Sequence, residues 1–324
     1  MMKINDYPID AVVTWVDGND PVHRAKRAMY EKKDESLNDD IGGAIRYTSV
    51  GEIKYCIASL LRFAPFLRTI WLVTDGQDPC IGDFLERNFP GQSGKVKIVD
   101  HAVLYRGYEQ YLPVFNSLSI ETVLWRIPGL SEHFIYLNDD FMLVAPTVPA
   151  DYFIGEKSVC YAMWFSIPFA RLLQFLKPKK KGHKVFTFKH SMVNAADAIG
   201  EKWRFFRLGH NPQSMKVSTF RNFFEKYPEL MIGNMSCRFR EEQQYNPAEL
   251  FFLLSAREGN LILHTKKGVN LYLLPKGHDY MVKHINKFRK STSEKFCCMN
   301  SLDYASLEDQ RLALGWLEER LGLK

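Results

Sequence analysis

Along the first half of the chain, short β-branched apolar runs alternate with stretches whose apolar residues recur every three or four positions. IDAVVTWV (9–16) breaks at DGNDP, the pattern of a strand running into a turn. GEIKYCIASLLRFAP (51–65) sets Ile53, Ile57, Leu60 and Leu61 at helical spacing, with Pro65 just past the end. RTIWLVTDGQ (68–77) and KVKIVDH (95–101) predict two more strands, PVFNSLSIETVLWRI (113–127) a helix, and EHFIYLNDDFML (132–143) a further strand. Strands alternating with helices predict an α/β fold with a mostly parallel sheet and helices on both faces.

The second half is less regular. Helices are expected over TFRNFFEKYPEL (219–230) and NPAELFFLLSAREGN (246–260). YASLEDQRLALGWLEERLG (304–322) predicts a terminal helix that opens on Ser306 and Asp309 as a capping box and carries a Leu/Trp face. The aromatic run YAMWFSIPFARLLQFL (161–176) leads straight into KPKKKGHK (177–184). It suits either a core segment followed by a solvated basic loop, or a segment leaning on a membrane surface.

In open parallel sheets, ligands bind beyond the carboxyl ends of the strands. Three predicted strands end there in acids: Asp17 with Asp20, Asp75, and Asp139 with Asp140. Acids are also ordinary turn formers. Alternation along a strand puts Asn138 and Asp140 on one face and Asp139 on the other, unless the chain has already turned. A carboxylate and an amide oxygen, completed by phosphate oxygens and water, suit Mg²⁺ or Mn²⁺.

Composition narrows the class. With 324 residues, 46% hydrophobic and 14% aromatic, the chain has ample core for one large α/β domain or two modest ones. No apolar stretch approaches the roughly 20 residues of a membrane span, and MMKINDYPID has no apolar leader core. Six cysteines without regular spacing predict reduced thiols in a cytoplasm. The net charge of +6 is concentrated in the basic block. A nucleic-acid partner would rest on those lysines alone and is not expected.

IDAVVTWVDGNDP, APFLRTIWLVTDGQ, LPVFNSLSIETVLWRIPGLSEHFIYLNDDF, GHNP and CRFREEQQYNPAELFF occur in that order. Together they resemble the signature blocks of the Stealth family of sugar-1-phosphate transferases. The resemblance covers the first 147 residues almost throughout, then 209–215 and 236–254. It implies a glycosyltransferase-A-like, Rossmann-like sheet flanked by helices, with a helical or irregular second half. Residues 1–300 form one catalytic domain: a nucleotide-sugar-binding half (1–147), a variable aromatic and basic insertion (148–208), and a second catalytic half (209–300). The terminal helix (301–324) packs on it.

The implied reaction moves a sugar-1-phosphate from a nucleotide sugar, a UDP-hexose or UDP-N-acetylhexosamine, to a hydroxyl of a surface glycan or lipid-linked oligosaccharide. It leaves a phosphodiester and releases UMP. The alternatives are a glycosyltransferase on the same fold, which releases UDP, and a catalytically inactive glycan-binding relative. Of the residues, Asp140 holds Mg²⁺ or Mn²⁺ with Asn138 and Asp303 nearby, Asp139 orients, Arg238 braces phosphate oxygens, and His210 is the general base. Thr14, Trp15, Asp17, Asp20 and Asp75 cradle the donor, though Trp15 also suits ordinary core. Asn116 and Ser117 meet a phosphate at a helix start or merely cap it, and Gln244 positions a substrate.

Two positions depart from the family pattern: Ser301 stands where an aspartate is usual, and Ala58 where many members carry an arginine. Arg46 or Arg62 can stand in for the latter, and Asp303 for the former. The expected location is the cytoplasm, with peripheral contact at the inner face of the cell membrane through 161–184.

Overall fold

The computed structural model describes residues 7–31, 50–176, 188–265 and 270–324. Strands β1 (Ile9–Thr14), β2 (Leu67–Thr74), β3 (Val96–Asp100) and β4 (His133–Asn138) are parallel and lie in the order β3-β2-β1-β4. The chain continues through β5 (Phe141–Leu143), β6 (Phe153–Ile154), β7 (Lys157–Ser166), β8 (Arg204–Leu208) and β9 (Gln213–Lys216). Strand β9 closes the main sheet antiparallel to β4, pairing Tyr136 with Gln213. This is the mostly parallel α/β sheet that the alternation predicts.

Helices cover both faces. Between β1 and β4 come α1 (Pro21–Ala28), α2 (Glu52–Phe63), α3 (Gly82–Asn88), α4 (His101–Leu104) and α5 (Ser117–Glu121). Then follow α6 (Ile167–Leu176), α7 (Phe188–Ala198), α8 (Val217–Lys226), α9 (Pro228–Met235) and α10 (Pro247–Arg257). The pleat divides the strands between two cores. Ala11, Val13, Ile135 and Leu137 face one, and Val12, Phe134 and Tyr136 face the other. A strand buried on both sides has few polar positions to alternate, so β1 and β4 are mostly apolar, with buried Asp10 in β1 the charged exception.

The second half holds more strand than its pattern predicts. Strands β10 (Leu261–His264), β11 (Asn270–Leu273) and β12 (Phe296–Met299) precede or flank α11 (His278–Lys290) and α12 (Leu307–Leu321). Strand β10 joins β7, while β12 lies between β11 and β5. These runs are too short for periodicity to declare, and their partners are remote in sequence. The helix expected over 113–127 is also shorter. Asn116 caps α5 by accepting from Leu118 N, and the helix ends within five residues. Thr122 Oγ1 donates to Leu118 O in the last turn, while Ser119 Oγ donates to Cys237 O of a remote loop. Pro228 splits the segment expected at 219–230 into α8 and α9, because the residue before a proline disfavours the helical region.

Candidate active site

The chain runs outward from β1 through β2 to β3, then returns to place β4 on the other side of β1. In open α/β sheets such a reversal marks the end at which ligands bind, beyond the carboxyl ends of the strands. At that end Thr14 pairs with Asn138, and Thr14 Oγ1 lies 3.1 Å from Tyr136 Oη. Strand β4 stops at Asn138, so Asp139 and Asp140 occupy a turn before β5. Tyr136, two residues back on the same face, donates to Asn138 Oδ1 at 2.7 Å. Cys56 Sγ, from α2, approaches Asn138 O at 3.8 Å.

Burial raises both acids of the pair. Asp139 lies well above the usual carboxylate range, with Asp140 and Glu52 pushing the same way. Asp140 is lifted only to about 6, since hydrogen bonds from Cys298, its own backbone N–H and Asn300 favour its charged form. Asp139 is thus held further above its ordinary range than Asp140, where hydrogen bonds offset part of the burial effect. Cys298 Sγ approaches Asp140 Oδ2 at 3.4 Å, and Met299 N donates to Asp140 O at 3.0 Å. Asp140 Oδ1 is buried and has no hydrogen-bond partner among the described residues.

A second buried network lies alongside. Arg240 Nη2 donates to Ser117 Oγ at 2.8 Å. Burial raises Glu121 to about 7, against the opposing charge of Arg240 and hydrogen bonds with Tyr136 and Ser117. Arg240, Ser117, Glu121, Tyr136 and Asn138 thus link the loop after α9 to the acid turn.

His210 forms a wall of the same site. Its ring stacks on Tyr272 at 5.0 Å and meets Phe141, the residue after the acid pair, edge-on at 6.1 Å. Burial lowers its pKa, which keeps the imidazole neutral and able to accept a proton. Gln213 Nε2 donates to Asn211 O at 2.8 Å and to Gly209 O at 3.3 Å, bracing the GHNP turn. A Cβ at Gly209 would sit 2.7 Å from Asn211 Oδ1, so only glycine fits there without a shift.

The other expected site residues are placed less directly. Arg238 Nε and Nη2 donate to Pro113 O and Leu112 O at 2.9 and 3.3 Å, and its guanidinium lies 4.2 Å over Tyr30. Asn116 and Gln244 are buried and bind each other at 2.7 Å, with further bonds to Cys237 O, Phe239 O, Ser119 Oγ and Asn234 O. They hold the loop in place. Asp17 Oδ1 accepts from Asn19 N, and Asp20 caps α1 by accepting from His23 N. Asp75 takes Lys26 Nζ at 2.6 Å, with His23 and His101 each at 3.9 Å. Trp15 belongs to the first core. The basic block and Arg46 lie outside the described residues.

Three residues joined to this site escape sequence reasoning: Glu52, Glu121 and Cys298. Glu52 opens α2 and feels both Asp140 and Asp303, although burial is what chiefly raises it. An acid in a first turn reads as an ordinary dipole partner, and a cysteine in an apolar strand as core. Only Glu121, a charge inside an otherwise apolar helical pattern, carried a signal.

Among the described residues no three His, Cys, Asp or Glu side chains converge as a ready-made metal cage. Mg²⁺ does not require one; it is commonly held by one or two carboxylates, with phosphate and water completing the shell. The orphaned Oδ1 of Asp140 fits that demand. Asn138 Oδ1 is already engaged by Tyr136. Asp303, raised by its own burial, acts on Glu52 as Asp140 does, and Ser301 Oγ donates to Asn300 Oδ1 at 3.1 Å.

Fold and site together define an α/β domain with a half-buried acid pair at the sheet's switch point. Comparison with known families gives the class a name. The model of Stealth protein conserved region 1 matches residues 7–35, and that of conserved region 2 matches residues 46–160. A receptor polysaccharide phosphotransferase of Streptococcus gordonii is 42% identical over 259 residues, 74% of this chain and 75% of the relative. An exopolysaccharide phosphotransferase of Streptomyces coelicolor is 43% identical over 249 residues, 76% of this chain and 39% of the relative. A capsular polysaccharide phosphotransferase of Streptococcus thermophilus is 31% identical over 226 residues, 70% of this chain and 82% of the relative.

The chain belongs to the Stealth family. It spans about two fifths of the length of several relatives it matches, including those of Streptomyces. Among solved structures, a galactosyltransferase in complex with donor and acceptor sugar analogues aligns over 97% of this chain and 95% of its own at 9% identity, TM-score 0.45. A bifunctional glycosyltransferase aligns over 99% of this chain and 50% of its own at 10% identity, TM-score 0.47.

Proposed function

We propose that this chain transfers a sugar-1-phosphate from a nucleotide sugar to a glycan hydroxyl, forming a phosphodiester. The donor is a UDP-hexose or UDP-N-acetylhexosamine, and the acceptor a surface glycan or lipid-linked oligosaccharide. The observation that carries this reading is the acid turn at the switch point, where Asp140 presents an unpartnered oxygen. The polysaccharide phosphotransferases among its relatives support the same class of reaction.

The acceptor oxygen attacks the β-phosphorus, and the phosphoanhydride bond to UMP breaks. The bond from the sugar's C1 to oxygen stays intact. His210, kept neutral by burial, takes the hydroxyl proton on a ring nitrogen. Arg238 contributes positive charge beside the transferring group, its plane fixed by two backbone carbonyls. Thr14, Asp17, Asp20 and Asp75 shape the donor side, and Trp15 lends a flat edge to it. Asn116, Ser117 and Gln244 hold the loop against which the substrates lie. Asp139, at the same turn as Asp140, orients the diphosphate. A bound Mg²⁺ or Mn²⁺, held by Asp140 with Asp303 or Asn138 completing its shell, supplies charge neutralisation for the diphosphate.

Residues 1–147 serve as the donor half, 148–208 as an insertion, 209–300 as the second catalytic half, and 301–324 as a packed terminal helix. The pairing of β5 with β12 supports counting residues 1–300 as one unit. The place of action is the cytoplasm, at the inner face of the cell membrane. A panel of UDP-sugars with a glycan acceptor, read by mass spectrometry, tests the reaction. UMP and a phosphodiester are expected; UDP with a new glycosidic bond overturns the reading.

A further inference from the structure

Helix α6 turns its apolar side outward. Of its residues only Arg171 and Gln174 are polar, and Ile167 and Ala170 occupy the buried stripe. Phe169, Leu172, Leu173 and Phe175 are left outside, with Phe175 85% and Leu172 52% exposed. Trp203, 74% exposed, adjoins them, its carbonyl accepting from Ile167 N at 2.9 Å. Scattered apolar side chains on a surface are ordinary, but a contiguous set of large ones marks a contact face.

Its rim is cationic. Arg204 lies 4.1 Å over the Trp164 ring, and Lys189 Nζ lies 4.3 Å over Phe165. Arg207 is exposed opposite Met163 in the β7–β8 ladder, and Lys202 is exposed beside Trp203. The acids here are engaged: Asp197 pairs with Arg171 at 2.8 Å, and Glu201 accepts from Trp203 N at 2.9 Å. Among the described residues from Met163 to Leu208, five Lys or Arg stand against those two carboxylates.

We propose that this face docks on an anionic lipid bilayer, its rings entering the headgroup boundary and its cations meeting lipid phosphates. Large aromatic side chains rimmed by an excess of positive charge, with the two nearby acids engaged, suit an anionic sheet. The inference deepens the reading above and rests on it only for the acceptor's side of the molecule. Phe188, at the start of α7, lies 6.1 Å from His210 and stacks on it, so the face adjoins the site.

Flotation of the full chain with phosphatidylcholine vesicles, with and without phosphatidylglycerol, tests it. Binding is expected only to the anionic vesicles, falling about tenfold or more at raised salt. Phe175→Ser with Trp203→Ser, and separately Lys202→Glu with Arg207→Glu, should each weaken it by about tenfold or more while UMP release on a short soluble glycan stays unchanged. Equal partition onto both vesicle types, or undiminished binding by either double variant, overturns the proposal. So does a dimer in light scattering that both double variants dissolve in the absence of vesicle binding, which assigns the face to a second copy. Vesicle binding without UMP release overturns the reaction and leaves the docking face standing.

Discussion

Cys298 Sγ lies 3.4 Å from Asp140 Oδ2, joining β12 to the turn that ends β4. The thiol favours the charged carboxylate, so removing it should raise Asp140 above its position near 6. For Cys298→Ala, the acid limb of the pH profile of UMP release moves to higher pH, and activity at pH 7 falls roughly threefold to tenfold. Cys298→Ser keeps a donor and should track the wild type. Identical profiles for all three proteins would remove the thiol from the site.

Asp140→Asn is expected to lower activity by at least about a hundredfold and to stabilise the fold. The folded carboxyl sits near 6 against an ordinary 3.8, so the folded state holds its proton across that interval and the unfolded chain does not. Stability therefore falls as pH rises from about 4 to about 6, by roughly 3 kcal/mol for this group, and the loss stays complete above. The variant should melt higher at pH 7.5, with the gain vanishing near pH 4. Calorimetry at both pH values decides it; a variant less stable at pH 7.5 refutes the assigned burial.

His210→Phe preserves stacking on Tyr272 and Phe188 but removes the proton acceptor. UMP release should drop by about 10²–10⁴, with the melting temperature little changed. Activity retained within tenfold would relieve His210 of the role of base.

Asp10 anchors the opposite end of the sheet. It takes Arg68 Nε and Nη2 at 2.9 and 2.6 Å, Trp71 Nε1 at 2.9 Å and Ser131 N at 2.9 Å, with no exposure of its own. Asp10→Ala strands the buried Ser131 N–H and the Trp71 indole and should cost about 3 kcal/mol by denaturant titration. Turnover per folded molecule is expected to stay at the wild-type level, since the site lies at the far strand ends.

Chelation should abolish UMP release, and Mg²⁺ or Mn²⁺ should restore it, with little change in melting temperature. With no three-ligand cage among the described residues, little folding energy hangs on a metal. Activity that survives EDTA would exclude the cation from the reaction.

Much of the sheet was legible, because a strand buried on both faces declares itself as a mostly apolar, β-branched run bounded by Asp-Gly turns. The acids at the ends of β1, β2 and β4 followed from the same pattern. Their individual duties did not. Asp20 caps α1 and Asp75 pairs with Lys26, contacts set by tertiary packing that the local pattern does not declare. Cys298 and Glu52 reach the acid turn from remote segments, a relationship no local spacing encodes. Ser301 Oγ meets Asn300 rather than filling the place of the missing carboxylate, and its backbone adopts the left-handed region at φ 56°.

The β5–β12 pair imposes an order of assembly. On a ribosome, the acid turn is made 158 residues before the thiol that completes its surroundings. Until β12 pairs with β5, the acid turn lacks the neighbouring strand and the thiol that approaches Asp140. Under the proposed reaction, a nascent chain would stay inactive until β12 has emerged and paired with β5.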